Sequence, residues 1–175
     1  KLDIRLNKGE EFMKLGVVSA IYDGFSFEEM IDDVSKNGCS CVEVACWPQG
    51  KAERRYAGVS HIDVDNTSAD YIAYIKDYCA EKNVEISSLA FYPNTMDGNL
   101  EKRNASIEHL KKVINMSALL GVDMVTTFIG RDQTKTVEEN LEIFKEVWPP
   151  IIKFAEEKGV KVAIENCPML FGADQ

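Results

Sequence analysis

The chain has 175 residues, of which 45% are hydrophobic and 28% charged, so it suits one globular domain and not a disordered or fibrous protein. With 20 basic and 29 acidic side chains its net charge is -9, which disfavours long-range attraction to nucleic acid. No apolar run approaches the roughly 20 residues that cross a bilayer, and residues 1–12 lack the apolar centre of a secretory signal. We therefore expect a cytoplasmic protein, with an N-terminal extension at residues 1–12 and one domain at residues 13–175.

Five short apolar runs predict β-strands, and amphipathic stretches between them predict helices. Because the runs are apolar on both faces, they are typical of a parallel sheet covered by helices. This alternation leaves two architectures open, a doubly wound open sheet or part of an eightfold barrel. The predicted strands are Leu15 to Ala20, Cys41 to Cys46, Glu85 to Phe91, Val122 to Phe128 and Val160 to Glu165.

The helix boundaries carry their own signals. Ser26 with Glu29, and Thr136 with Glu139, have the spacing of a capping box, in which two side chains satisfy the first backbone amides of a helix. Each helix is followed by a residue suited to the left-handed conformation that ends helices. These residues are Gly38, Asn83, Gly121 and Gly159.

Two further features concern the third and fourth helices. Pro149 and Pro150 fall inside the last helical pattern, and because proline removes an amide donor we expect a kink or a restart there. His109 lies beside two lysines in the third helix, which predicts a surface position.

The five cysteines form no CxxC pair, so neither a zinc ribbon nor a thioredoxin-like site is supported. We expect reduced thiols. They are Cys39, Cys41, Cys46, Cys79 and Cys167.

Two glutamates lie in otherwise apolar strands. Glu165 ends the fifth strand on the same face as the small Ala163, at the carboxyl end where parallel sheets carry their chemistry. Pairing with a lysine or capping of a helix is the alternative role for Glu165. Glu43 lies within the second strand, where a buried charge costs several kcal/mol unless it is paired or metal-bound. A salt bridge to an inward lysine or arginine is the alternative for Glu43.

Three loop residues are candidates for binding. His61, in the long segment 47–66, suits a metal or a substrate, with a structural role in the loop as the alternative. Asn94 follows the third strand and suits a substrate hydroxyl, and Arg131 follows the fourth strand and suits an anionic or polyhydroxyl ligand. Residues of these types are also common in turns without any binding role. The chain has no phosphate loop, GxGxxG, GxSxG or HExxH motif.

Several segments, in this order and spacing, resemble the sugar phosphate isomerase/epimerase family. That family has the xylose isomerase-like TIM barrel, which it shares with apurinic endonucleases of the second type, and the resemblance covers nearly all of residues 13–175. The segments are Val42-Glu43-Val44, Ala90-Phe91-Tyr92-Pro93-Asn94, Thr127-Phe128-Ile129-Gly130-Arg131-Asp132 and Ala163-Ile164-Glu165-Asn166-Cys167-Pro168-Met169.

The resemblance implies an α/β fold that comprises the N-terminal five βα units of a (β/α)8 TIM barrel, incomplete in this chain. It implies a divalent metal cofactor, Mn, Mg, Zn or Co, with Glu165 as a metal ligand and the catalytic proton-transfer residue. Glu43 and His61 match positions that face the substrate pocket. The other ligands of the family have no counterpart before Gln175, so we expect the N-terminal part of a longer protein, inactive alone.

The function implied is isomerisation or epimerisation of a ketose, a sugar phosphate or a polyol, with dehydration of a polyol as the closest variant. The expected partner is a small sugar or polyol, with neither nucleic acid nor a membrane. One alternative is a non-catalytic half-barrel that binds a small molecule or assembles into a homo-oligomer through its exposed strand edges. A second alternative, an abasic-site endonuclease, is disfavoured because the chain has 2 histidines and is acidic.

Overall fold

The described part of the protein, residues 13–50 and 58–166 of a computed structural model, alternates strands with helices. The predicted extension at residues 1–12 lies outside it. The strands are β1 (Gly16–Val18), β2 (Cys41–Ala45), β3 (Glu85–Ala90), β4 (Met124–Thr127) and β5 (Lys161–Ile164). The helices are α1 (Phe27–Lys36), α2 (Ala69–Lys82), α3 (Leu100–Leu120) and α4 (Val137–Lys158), and a 3-10 turn (Ser19–Ile21) follows β1.

The strands form one parallel sheet in the order β1-β2-β3-β4-β5. All five predicted strands are confirmed, each with bounds one to three residues shorter than the apolar run. A doubly wound sheet reverses its strand order near the first strand, so this sequential order excludes it. It is the order of consecutive barrel units.

The predicted helix boundaries are also confirmed. Both capping boxes form, since Ser26 and Thr136 accept the amide N–H of Glu29 and Glu139, and each glutamate accepts the N–H of its cap residue. All four predicted helix-ending residues have left-handed backbones. Their φ angles are 78° at Gly38, 54° at Asn83, 76° at Gly121 and 70° at Gly159.

The expected restart at the two prolines is wrong, because α4 runs through Pro149 and Pro150 as one helix. The prolines remove the donors that would bond the carbonyls of Lys145 and Glu146. Both of these residues are exposed, so water can satisfy their carbonyls.

A hydrophobic core lies between the helices and one face of the sheet. Val42 and Val44 of β2 are fully buried in it, and Trp148 of α4 is 2% exposed. His109 also lies in this layer and is 7% exposed, so the predicted surface position is wrong. Its Nε2–H donates to the Cys46 carbonyl at 2.8 Å and its ring contacts Phe91.

The described cysteines Cys39, Cys41, Cys46 and Cys79 form no disulfide. Burial raises the pKa of Cys79 to about 11 and also raises that of Cys46, so both thiols stay protonated at neutral pH. Within residues 13–50 and 58–166, no helix is long and apolar enough to cross a membrane.

Candidate active site

A carboxylate surrounded by hydroxyl groups lies on the sheet face opposite the core. Ser88 and Thr126 donate to Oε2 of Glu43 at 2.9 and 2.8 Å, and Tyr92 donates to Oε1 at 2.7 Å. The donors come from β3, the residues just after it, and β4. We call Glu43, Ser88, Tyr92 and Thr126 the Glu43 cluster.

A break in strand register places Ser88 in this cluster. Val42 pairs with Ile86, but Glu43 pairs with Ser88, so the ladder skips Ser87. Such an irregularity re-aims the following side chains. From this point Ser88, Ala90 and Tyr92 alternate along the face of Glu43, with the two hydroxyls in reach of its carboxylate.

No salt bridge to Glu43 is present among the described residues, so the predicted lysine or arginine partner is replaced by three hydroxyls. Burial is the main reason that the pKa of Tyr92 is raised, and its hydrogen bond to Glu43 adds to the effect. The Tyr92 phenol therefore stays protonated and keeps donating to the carboxylate.

Glu165 follows β5 at the same edge of the sheet. Its backbone N–H donates to the Thr127 carbonyl at 3.0 Å, which continues the β4–β5 ladder by one residue. Burial is the main cause of the raised pKa of Tyr92, and the charge of Glu165 adds a smaller contribution. Glu165 lies on the sheet face of the Glu43 cluster, because Ala163, two residues before it, pairs with Thr126. The Glu165 side chain is exposed and has no ion pair with the described cations.

The loops after β3 and β4 are joined by side-chain hydrogen bonds. Asn94 donates from Nδ2 to the Arg131 carbonyl at 2.9 Å, and its Oδ1 accepts the Arg131 N–H at 2.9 Å and the Met96 N–H at 3.2 Å. Thr95 donates to the Ile129 carbonyl at 2.8 Å. One N–H of the Asn94 amide is left for a ligand.

His61 is 7% exposed, and both of its ring nitrogens are hydrogen-bonded. The Ala45 N–H donates to Ser19 Oγ at 2.8 Å, which leaves the Ser19 hydroxyl to donate to His61 Nδ1 at 3.1 Å. Nε2–H then donates to the Tyr22 carbonyl at 3.2 Å. Burial lowers the pKa of His61, so the ring is neutral at pH 7. These contacts support the structural role in the loop.

A cavity of about 600 Å³ opens beside the site, between the end of β2, the loop after β3 and the first half of α3. Tyr92 and Asn94 lie on its wall with Trp47, Lys102 and His109. Its volume is in the range that holds small ligands.

The structure brings only some of the predicted site residues close to one another. Glu43 and Glu165 lie on the same face of the sheet, and Asn94 holds the backbone of Arg131 in the neighbouring loop. The sequence analysis missed Ser88, Tyr92 and Thr126 as site residues. β3 and β4 each contain an adjacent pair of hydroxyl residues, Ser87-Ser88 and Thr126-Thr127, which is the one signal of these donors in the sequence.

The described residues do not form a complete metal site. No group of three or more His, Cys, Asp or Glu residues that could hold an ion lies together in residues 13–50 and 58–166. At the strand ends, Glu165 supplies one carboxylate. One carboxylate leaves most of an ion's coordination to water.

A sequential parallel sheet with helices on one side and polar groups at its carboxyl edge defines an α/β protein of the TIM barrel class. The family model described as xylose isomerase-like TIM barrel matches residues 31–174, most of the chain. The chain belongs to this family, and its described part is the first five strands of the barrel. No curated protein matches the sequence significantly.

Solved structures with the same fold include sugar epimerases. A D-tagatose 3-epimerase-like protein has a TM-score of 0.66 and 21% identity, over 91% of this chain and 55% of that one. D-psicose 3-epimerase from Clostridium cellulolyticum, crystallised with D-tagatose, has a TM-score of 0.65 and 18% identity, over 90% and 54%. A probable 3-DHS dehydratase from Bacillus anthracis has a TM-score of 0.63 and 14% identity, over 88% and 52%. The chain spans about half the length of these proteins.

Proposed function

We propose that this chain is part of an isomerase or epimerase that acts on a ketose, a sugar phosphate or a related polyol. An isomerase moves a proton between adjacent carbons, and an epimerase removes a proton from one carbon and returns it to the opposite face of that carbon. The observation that carries the proposal is that two carboxylates, Glu43 and Glu165, lie on one face of a partial barrel, with Glu43 held by three hydroxyl donors. Structural neighbours named as epimerases of D-tagatose and D-psicose support this reaction class.

Glu165 is the proposed proton-transfer group. Its carboxylate is exposed at the strand end and is not paired with any described cation, so it is available to a substrate carbon. It would take the proton from the carbon beside the carbonyl, which leaves an enediolate, and return it from the carboxylic acid formed. A carboxylate already neutralised by a lysine would be a weaker base.

Glu43 is the proposed substrate-orienting acceptor. Oε2 already accepts two hydroxyls and Oε1 accepts one, so Oε1 keeps one acceptor position for a sugar hydroxyl. The hydroxyl donors hold the carboxylate in place before the substrate arrives, which lowers the entropic cost of orienting it. Tyr92 and Phe128, with ring centroids 4.7 Å apart, provide an aromatic surface beside this position.

Asn94 and His61 are proposed to hold neighbouring segments of the protein in position. Asn94 fixes the Arg131 backbone and offers one remaining N–H to a substrate hydroxyl. His61 ties the 3-10 turn after β1 to β2 through Ser19, which makes it a positioning residue.

A divalent ion is part of the proposal only as a cofactor for which Glu165 supplies one ligand. The described residues do not fit a complete ion site by themselves, because no three metal-binding side chains come together. The Glu165 carboxylate is the group of this chain that we assign to the proton transfer.

The proposal predicts exchange of substrate protons with solvent. We would incubate the natural polypeptide that contains this chain with D-psicose, D-tagatose and a ketose phosphate in D₂O and follow proton NMR. Deuterium should enter at a carbon next to the carbonyl of at least one substrate. The proposal would be contradicted if the folded protein incorporated deuterium at none of these carbons faster than the same solution without protein.

A further inference from the structure

Arg131 carries a buried N–H group with no partner. Its Nε is the one buried side-chain nitrogen or oxygen without a hydrogen bond in the described part of the chain. Buried polar groups in native proteins are nearly always hydrogen-bonded, and the guanidinium is always charged. The Nε–H of Arg131 therefore lacks a hydrogen-bond acceptor among the described residues.

No carboxylate among the described residues supplies this acceptor. Each ion pair among the described residues uses a lysine, and none includes Arg131. The chain nevertheless has 29 acidic side chains against 20 basic ones. Arg131 therefore has no acidic partner within residues 13–50 and 58–166, which suits it to an acidic group of a ligand.

The backbone around Arg131 is fixed on both sides before any ligand binds. Asn94 bonds both the N–H and the carbonyl of Arg131, at 2.9 Å each. Gly130 has a φ of +84°, and a Cβ there would lie 2.4 Å from Asn94 Oδ1. Ile129, one residue earlier, accepts at its carbonyl from Thr95 at 2.8 Å and from Trp148 at 3.2 Å. The loop after β3 and helix α4 therefore hold this short segment.

The segment lies at the edge of the proposed active site. Arg131 comes three residues after Phe128, whose ring packs on Tyr92 of the Glu43 cluster. A guanidinium offers Nε–H and Nη–H as a planar fork that matches two oxygens of a phosphate or a carboxylate. Its chemistry therefore indicates an oxyanion more than a neutral hydroxyl.

We propose that Arg131 binds an anionic group of the substrate, so that the substrate class is a sugar phosphate or a sugar acid and not an uncharged sugar. This inference rests on the proposed function and narrows it. The epimerases among the structural neighbours are named for D-tagatose and D-psicose, which are uncharged sugars.

The test is anion-dependent thermal stability of the 175-residue chain. Inorganic phosphate and acetate serve as the phosphate and carboxylate probes, each titrated against chloride at constant ionic strength. The variants are Arg131→Met, which keeps an apolar stem, and Arg131→Lys, which keeps the charge but loses the fork. Lys145→Met is the matched control, because it removes one exposed positive charge that pairs only with Glu142 of the same helix.

Phosphate or acetate should raise the melting temperature of the wild type and of Lys145→Met, because a ligand that binds the folded state stabilises it. The apparent anion affinity should fall at least tenfold in Arg131→Met and severalfold in Arg131→Lys. Without added anion, Arg131→Met should melt at or above the wild-type temperature, because it removes the unpartnered N–H. A response to phosphate alone assigns a sugar phosphate, and a response to acetate assigns a sugar acid.

Two results would overturn the inference: no stabilisation of the wild type by either anion, or equal stabilisation of all the variants. Neither depends on turnover. Anion binding through Arg131 without proton exchange would remove the proposed reaction and keep the anion site. Proton exchange with uncharged ketoses and no anion binding would keep the proposed reaction and remove the anion site.

Discussion

The Glu43 cluster predicts that Glu43→Gln destabilises the protein although it keeps the side-chain volume. Three hydroxyls donate to the carboxylate over 2.7 to 2.9 Å. Hydrogen bonds to a charged group contribute about 1.5–3 kcal/mol each and neutral ones about 0.5–1.5 kcal/mol. The amide therefore loses about 1 kcal/mol per bond and places an NH₂ group against a hydroxyl donor, while the lower cost of burying a neutral group offsets part of this loss.

We expect a net loss of about 1.5–3 kcal/mol, which lowers the melting temperature of a chain this long by about 3–12 °C. Differential scanning calorimetry measures this shift. Glu85→Gln is the matched control, because Glu85 is 59% exposed and pairs with Lys14 at the surface, so its loss should stay within about 1 kcal/mol.

A double-mutant cycle with Tyr92→Phe isolates the bond between the two side chains, and the coupling should be about 1–3 kcal/mol. If Glu43→Gln melts at or above the wild-type temperature, burial of the charge destabilises the protein by at least as much as the three hydrogen bonds stabilise it. The view of Glu43 as a stably held anion would then be wrong.

Three further results are expected. Asn94→Ala removes the bonds to Arg131 and Met96 and should cost about 1–3 kcal/mol in urea unfolding, and an unchanged midpoint would show that the loops hold without it. Burial lowers the pKa of His61 and of His109 in the folded protein. Below about pH 6.5 these two histidines therefore bind more protons in the unfolded chain than in the folded chain. Stability should therefore fall as pH drops from 7 towards 5, by at most about 1.4 kcal/mol per pH unit for each histidine, and a wild-type slope that persists in His109→Gln would contradict the assignment for that residue. The 175-residue chain should bind Mn²⁺ weakly in calorimetry, and tight stoichiometric binding would reveal ligands outside the set proposed.

Local signals in the sequence were sufficient to predict the strands, the helices and the residues at which the helices end. Two-sided apolar runs identify strands, and glycine or asparagine marks where helices stop, because these preferences act within a few residues. Pro149 and Pro150 do not restart the helix, since their cost depends on whether water reaches the freed carbonyls, and α4 exposes that side.

The buried face of α3 is wider than the row of apolar residues that predicted it, and His109 lies in the additional part. Val113 and Met116, four and seven residues further along α3, are fully buried on the same side. That spacing is visible in the sequence, but the lysines beside His109 hid it.

The partners of Glu43 needed the tertiary structure. Ser87 and Ser88 are adjacent and chemically equal, and only the register shift between β2 and β3 decides which one faces Glu43. Thr126 lies 83 residues away along the chain and reaches the carboxylate only because β4 packs beside β3. Sequence alternation nominated the charged residue but not the hydroxyls that hold it.

The most direct test of the central claim is deuterium exchange by Glu165→Gln in the natural polypeptide that contains this chain. The substitution keeps the volume and removes the proton acceptor, so exchange at the carbon beside the carbonyl should fall by about 10² to 10⁴ relative to wild type. Glu157→Gln, at an exposed position of α4, should exchange at the wild-type rate. A Glu165→Gln protein that melts normally and exchanges as fast as that control would contradict the assignment of proton transfer to Glu165.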